Sequence, residues 1–146
     1  EKVATARGLG AQVLAQGRLR DDAPAGGFWF PPMLMGEVDP ASALAQEEVF
    51  GPVLAAFAFD GEDEAAELAN ATPYGLTAAV WTRDGSRALR LAQRIEAGQV
   101  FINNYGAGGG IELPFGGMKH SGHGREKAFE GLRSFTTIKT IAIQHG

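Results

Sequence analysis

Three apolar runs alternate with two amphipathic stretches in the middle of the chain. The first amphipathic stretch follows Asp60, with Asp63 three residues on as in a capping box, and the second follows Asp84 or Ser86. The apolar runs are nearly continuous, as expected for strands that are covered on both faces. Strand–helix repeats of this length predict an α/β fold with a mostly parallel sheet and flanking helices. The predicted strands cover residues 53–59, 76–81 and 100–102.

The first forty residues carry weaker signals. Residues 1–10 have the spacing of a helix that closes on glycine, and residues 12–15 read as a short strand. The aromatic run 28–30 is β-prone, but Pro31-Pro32 follows at once, which predicts a strand at the edge of a sheet. Asp39-Pro40 is a helix-starting pair and predicts a short helix after it.

Glycine dominates the chain beyond residue 102. There are 21 glycines among 146 residues, about twice the usual share of roughly 7%. Many of them lie in residues 106–126, a long segment of the kind that is usually functional in a compact domain. Residues 126–132 predict a short helix. Residues 134–144 predict a terminal strand, whose free edge would pair with another chain.

Composition and charge exclude several classes of function. The net charge of −4 argues against a nucleic-acid-binding surface or an anionic membrane surface, since both need clustered Lys and Arg. The longest apolar stretch, residues 53–59, is far shorter than the roughly 20 residues that span a bilayer. The chain opens without Met or a signal peptide, so we expect a piece cut from a longer, cytoplasmic protein.

The polar residues do not form a complete catalytic set. Cysteine is absent, which excludes disulfides, thiolate metal sites and a cysteine nucleophile within these residues. His120 and His123 have a chelating spacing but no third ligand nearby, so we predict no metal site. Ser121 lacks a nucleophile elbow. The glycines around Gly122 and Gly124 do not match a dinucleotide fingerprint, and we interpret them as residues of tight turns and close packing.

The acidic pair Glu47-Glu48 is more informative. Such pairs are most often part of a solvated surface. This one precedes Phe50 and the rigid Gly51-Pro52 turn, directly ahead of a predicted strand. A carboxylate fixed at that point can accept two hydrogen bonds from a vicinal diol, and an aromatic side chain two residues later can pack against a planar ring.

Two longer motifs resemble the signatures of the aldehyde dehydrogenase superfamily. The first is Gln46-Glu47-Glu48-Val49-Phe50-Gly51-Pro52-Val53, and the second is Pro114-Phe115-Gly116-Gly117-Met118-Lys119-His120-Ser121-Gly122-His123-Gly124-Arg125-Glu126. The resemblance runs over essentially the whole chain but matches only about the last third of a full-length member. It implies the C-terminal part of that family's catalytic domain, with a partial catalytic domain over residues 1–133 and a terminal strand over residues 134–146.

The resemblance also implies a reaction. Family members oxidise an aldehyde to a carboxylic acid with NAD or NADP, through a thiohemiacetal and then a thioester on a cysteine. In the family, a glutamate activates the water that hydrolyses this thioester. The cysteine and the glutamate both lie upstream of the residues that this chain matches, so we expect the chain alone to be catalytically inert. The alternative is a non-catalytic assembly module that shares the fold.

The resemblance also implies roles for individual residues. Glu48 matches the carboxylate that holds the nicotinamide ribose, and Phe50 matches the ring beside the nicotinamide. Phe115 and Ile111 resemble residues of the tunnel that admits the aldehyde substrate. Residues 137–144 resemble the strand through which family members form homodimers or homotetramers.

Overall fold

A computed structural model of the chain describes residues 1–106 and 110–146. The predicted glycine-rich loop therefore lies partly outside the described residues, because it includes residues 107–109. The chain divides into two compact units, Glu1–Thr72 and Pro73–Gly146. In the described residues no helix is long and apolar enough to cross a membrane.

The first unit is built on a three-stranded mixed sheet. Its strands are β1 (Gln12–Gln16), β2 (Met33–Gly36) and β3 (Val53–Ala55), and β2 lies in the centre. β1 pairs with β2 in antiparallel orientation, and β2 pairs with β3 in parallel. Helices α1 (Lys2–Gly8), α2 (Ala43–Gln46) and α3 (Gly61–Asn70) complete the unit.

The core of this unit forms around β2. Met35 on β2 is fully buried, and the buried residues around it are Ala6, Ala11, Val38 and Leu44. The predicted strand at residues 28–30 is wrong, since the strand begins only after Pro31-Pro32. The reason is that two consecutive prolines cannot donate backbone hydrogen bonds, and pairing starts where Gly17 donates to the Pro32 carbonyl at 2.8 Å.

Helices α2 and α3 differ from the prediction in the side chains that cap them. Ser42, not Asp39, is the N-cap of α2, while the Asp39 carboxylate accepts a hydrogen bond from the Ala41 N–H. Asp60 is the N-cap of α3 as predicted, but its own side chain makes no capping bond. Its backbone N–H donates to the Glu64 carboxylate, so the reciprocal bond comes from one residue beyond the predicted Asp63.

The second unit contains the predicted strand–helix–strand repeat. Strand β5 (Thr77–Val80), helix α4 (Gly85–Arg94) and strand β6 (Gln99–Ile102) follow one another, and β5 pairs with β6 in parallel. Two further short strands, β4 (Tyr74–Gly75) and β7 (Met118–Lys119), pair in antiparallel orientation. Helix α5 (Ala128–Ser134) follows the glycine-rich segment, close to its predicted place.

Two predictions about the sheets need correction. The described strands form three small sheets of two or three strands with both orientations, not one mostly parallel sheet. The predicted burial on both faces also fails: Leu54 and Trp81 are 69% and 67% exposed. The physical reason is that an apolar run indicates a surface suited to burial but does not show which segment of chain covers it.

The predicted terminal strand is not formed in the isolated chain. Residues 136–146 are neither helix nor strand, and Ile138, Ile141 and Ile143 are exposed. A strand needs a neighbour to satisfy its backbone hydrogen bonds, and within the described residues this segment pairs with no strand. Its role in assembly stays a prediction.

Helix α4 shows how a side-chain cap stabilises the second unit, and of the two predicted starts, Asp84 and Ser86, it is Asp84 that forms the cap. The Asp84 carboxylate accepts hydrogen bonds from the N–H groups of Arg87 and Ser86 at 3.0 and 2.9 Å. These bonds, that from Arg87 above all, hold the pKa of Asp84 below its ordinary value of 3.8. Ala88 and Leu91 then bury the apolar face of the helix.

This cap predicts a pH-dependent contribution to stability. Because the folded pKa of Asp84 is lowered, the contribution is present above the ordinary carboxyl pKa and is lost as the pH falls through the lowered folded value. We expect Asp84→Ala to lower the melting temperature at neutral pH and to flatten its acid dependence. Asp84→Asn keeps an acceptor and is the matched control. Melting curves between neutral pH and about pH 3 measure the difference, and identical curves for Asp84→Ala and the unaltered chain would contradict the prediction.

Candidate functional site

The acidic pair lies in a segment that links α2 to β3. Helix α2 ends at Gln46, and Glu47, its C-cap, has an extended backbone. The segment 47–52 contains neither helix nor strand. Glu48 is exposed and Phe50 is 92% exposed, and both line an open depression of about 380 Å³. The other residues that line this depression are Leu44, Glu47, Val49, Gly51 and Val53.

The two neighbouring carboxylates have different environments. The Glu47 carboxylate forms an ion pair with the Lys2 ammonium group at 2.9 Å. The carboxylate of Glu48 has no hydrogen-bond or ion-pair partner among residues 1–106 and 110–146. Its oxygens are thus open to donors from a bound molecule, such as the hydroxyls of a sugar. Sequence reasoning alone did not distinguish these environments.

Phe50 has an unusual backbone conformation for an exposed aromatic residue. Its φ angle is +54°, in the left-handed region that costs a bulky L-residue free energy. The ring gains little from burial in return, since it is almost fully exposed. Backbone strain without a packing gain is typical of functional positions.

Hydrogen bonds hold both ends of this segment. The Gln46 side-chain amide donates to the carbonyl oxygens of Pro40 and Ala71, both at 2.6 Å. At the other end the Met33 N–H donates to the Pro52 carbonyl at 2.9 Å, which ties the segment to β2. Sequence reasoning missed Lys2 and the anchoring role of Gln46, a residue of the motif, because Lys2 and Ala71 are distant in sequence from the segment.

Phe115 lies at a small cavity in the second unit. The cavity has a volume of about 130 Å³. Phe115 is half-buried, and its backbone pairs with that of Glu126 in both directions. The Lys127 ammonium lies 5.6 Å from the centre of the Phe115 ring, within the range of a cation–π contact. The remaining lining residues are Thr77, Gln99, Phe101, Tyr105, Gly106 and Leu113.

Ile111, the other predicted tunnel residue, does not line this cavity. Its side chain is 83% exposed. Its backbone is nevertheless ordered, because the Ile111 carbonyl accepts a hydrogen bond from the Ala128 N–H at 2.7 Å. The structure therefore places Phe115 and Ile111 in different surroundings.

The glycine-rich segment is packed closely against the turn between α4 and β6. A Cβ on Gly98 would overlap the carbonyl oxygen of Gly116, and Gly98 does not have a left-handed backbone. Side chains fasten the same contact: Gln99 donates to the Pro114 carbonyl and Arg125 to the Gly117 carbonyl, both at 2.9 Å. Gly98 thus allows the two segments to approach closely.

The remaining glycines of this segment support the same interpretation. Gly122 and Gly124 have φ angles of +107° and +80°, which glycine adopts without steric cost. The prediction of tight turns is therefore confirmed at Gly122 and Gly124, and that of close packing at Gly116 and Gly117, where an added Cβ would overlap backbone atoms. The Ser121 hydroxyl also has a structural partner, since it accepts a hydrogen bond from the Gly75 N–H at 3.0 Å.

The histidines do not form a metal-binding cluster in the described part of the chain. The His120 ring contacts the edge of Tyr74, with ring centres 6.5 Å apart. Across residues 1–106 and 110–146, no three His, Cys, Asp or Glu side chains are close enough together to hold a metal ion.

Comparison with known proteins gives one consistent result. The model of the aldehyde dehydrogenase family matches residues 1–141. The NADP/NAD-dependent aldehyde dehydrogenase PuuC of Escherichia coli is 49% identical over 132 residues, 90% of this chain. Among solved structures, a Burkholderia cenocepacia protein assigned to the aldehyde dehydrogenases is 62% identical over 99% of this chain, with a TM-score of 0.91. An indole-3-acetaldehyde dehydrogenase in complex with NAD+ has a TM-score of 0.84 and 42% identity over 94% of this chain.

The match covers only part of each relative. This chain spans 26% of PuuC, 30% of the Burkholderia protein and 27% of the indole-3-acetaldehyde dehydrogenase.

Proposed function

Since the chain belongs to the aldehyde dehydrogenase family, we propose that it forms the C-terminal part of an NAD(P)-dependent enzyme that oxidises an aldehyde to a carboxylic acid. The names of the relatives support this reaction, because they include an NADP/NAD-dependent aldehyde dehydrogenase and proteins in complex with NAD+. The share of each relative that the chain covers supports a partial domain.

In this proposal Glu48 and Phe50 position the nicotinamide end of the cofactor. The unpartnered Glu48 carboxylate accepts two hydrogen bonds from the ribose hydroxyls, and the exposed Phe50 ring packs beside the nicotinamide. The depression of about 380 Å³ is open enough for a ribose and a planar ring. The single observation that carries the proposal is this free carboxylate beside a strained, exposed aromatic ring.

The covalent chemistry belongs to residues outside these 146. The chain has no cysteine, so the thiol that attacks the aldehyde in this family has to come from elsewhere in the enzyme. NAD(P)+, when bound, supplies the hydride acceptor. Residues of this chain contribute orientation: a fixed carboxylate and ring keep the acceptor within reach of the reacting carbon.

Phe115 forms part of the wall of the substrate tunnel in our proposal. Its half-buried ring on a small cavity supports that assignment. The resemblance assigns Ile111 to the same wall. Its side chain is exposed and lies outside the cavity at Phe115, so it would contact the substrate at a different place from Phe115.

We also propose that residues 137–144 pair with a second subunit. The exposed isoleucines and the absence of a strand partner in the described chain support a strand that forms only on assembly. Light scattering of the full-length enzyme with and without residues 134–146 tests this role, and an unchanged particle mass excludes it.

The activity is tested on the full-length polypeptide that carries these residues. We expect aldehyde-dependent reduction of NAD+ or NADP+, which absorbance of the reduced cofactor measures directly. A panel of aliphatic, aromatic and carboxylate-bearing aldehydes identifies the substrate class. If no aldehyde supports reduction of either cofactor by a folded preparation, the chain is an assembly module that shares the fold.

Replacing Phe50 separates its stability role from its binding role. We expect Phe50→Gly to change the free energy of unfolding by no more than about 1 kcal/mol, because relief of the left-handed strain offsets the added flexibility of the unfolded chain. The KM for the cofactor should nevertheless rise about tenfold, as a ring contact is lost. Phe50→Tyr, which keeps the ring, is the control. A large loss of stability with an unchanged KM would show that the ring serves packing instead.

A further inference from the structure

We infer that Lys2 is a positioning residue for Glu48, an assignment that rests on the proposed cofactor site. Lys2 is the first residue of α1, and its ammonium group contacts both members of the acidic pair in different ways. It forms the ion pair with the Glu47 carboxylate at 2.9 Å and donates a hydrogen bond to the Glu48 backbone carbonyl at 3.1 Å. One side chain thus binds the segment on both sides of the Glu47–Glu48 peptide bond.

These contacts restrict the residue that the proposed function needs to be fixed. Glu48 lies two residues beyond the end of α2, where no regular hydrogen bonding restrains the backbone. A bond to its own carbonyl limits rotation of that peptide and therefore the direction of its side chain. The carboxylate itself stays free, because Lys2 uses the backbone of Glu48 and the side chain of Glu47.

The two glutamates accordingly have separate tasks. Glu47 neutralises Lys2, which keeps the ammonium group from pairing with the Glu48 carboxylate. An exposed ion pair by itself contributes little to stability. The effect of Lys2 should therefore be seen in cofactor affinity and not in the melting temperature, which distinguishes positioning from a purely structural role.

The test compares Lys2→Met with Arg7→Met in the full-length enzyme. Both substitutions remove one positive charge from α1, but Arg7 is exposed in the last turn and forms no hydrogen bond or ion pair with Glu47 or Glu48 in the described residues. We expect Lys2→Met to weaken binding of the reduced cofactor, followed by its fluorescence, by about threefold to tenfold with an unchanged melting temperature. Lys2→Arg should restore most of the affinity, and Arg7→Met should behave as the unaltered enzyme.

Glu48→Gln, measured alongside, separates failure of this inference from failure of the proposed function. If Glu48→Gln weakens cofactor binding and Lys2→Met does not, Lys2 has no positioning role and the cofactor site stands. If Glu48→Gln leaves binding unchanged, the cofactor site and the role of Lys2 both fail. If Lys2→Met lowers the melting temperature as well as the affinity for the cofactor, Lys2 serves the structure of α1 and the inference is overturned.

Discussion

Replacing Gly98 by alanine is expected to destabilise the second unit by about 3 kcal/mol or more, the upper range for forcing atoms into a packed region. The added methyl group would overlap the backbone of Gly116, and it would also lie close to Gly117. Backbone atoms cannot rotate away as a side-chain tip can, so one of the two segments has to move. Because small domains are stable by only about 5–15 kcal/mol, this loss should be plain in urea denaturation.

The chain offers a matched control for this substitution. Gly85, at the start of α4, has no atom within 4 Å of an added Cβ. Gly85→Ala should therefore leave stability unchanged or raise it by up to about 1 kcal/mol, since alanine is the better helix former. Equal denaturation midpoints for Gly98→Ala and Gly85→Ala would mean that the glycine-rich segment does not press against the turn before β6.

Glu48→Gln is expected to lower kcat/KM for the cofactor by about tenfold to a hundredfold in the full-length enzyme. A hydrogen bond to a charged group is worth roughly 1.5–3 kcal/mol, and glutamine keeps the shape of the side chain but loses the charge. The melting temperature should not change, because the Glu48 carboxylate forms no hydrogen bond or ion pair with a described residue. Steady-state kinetics with each cofactor and a fixed aldehyde measure the effect.

An equivalent substitution elsewhere in the same unit checks that the loss is local. Glu67 is an exposed carboxylate on α3, and Glu67→Gln makes the same chemical change outside the candidate site. Its kinetics should match those of the unaltered enzyme. Equal kinetics for all three proteins would remove Glu48 from the cofactor site, whatever its exposure.

The parts of the fold that local sequence determines were predictable. Helix α4 lies where Asp84 and the stripe through Ala88 and Leu91 placed it, because a cap and an apolar face are encoded within one stretch of chain. The parallel pairing of β5 with β6 follows from the same repeat. Strand β2 was missed, since Met33–Gly36 is short, follows two prolines and depends on partners from distant sequence.

The candidate site also has features that the local sequence predicts and features that depend on distant residues. The motif around Glu48 and Phe50 could be found from the sequence because its residues are adjacent. The left-handed backbone of Phe50 and the contact between Lys2 and Glu47 could not, since they depend on tertiary structure. Burial was the least predictable property: Leu54 and Ile111 are apolar but exposed, and the sequence does not state which surfaces a neighbouring chain segment covers.

The left-handed backbone at position 50 also limits how this site can evolve. Valine, isoleucine and threonine have a branched Cβ and tolerate that conformation poorly. Substitution of Phe50 by a smaller branched apolar residue is therefore disfavoured, even though such exchanges are common on exposed surfaces. Glycine and asparagine adopt this conformation at low cost but carry no ring. Retention of a flat ring at this position would therefore reflect its contact with the cofactor and not the preference of the backbone.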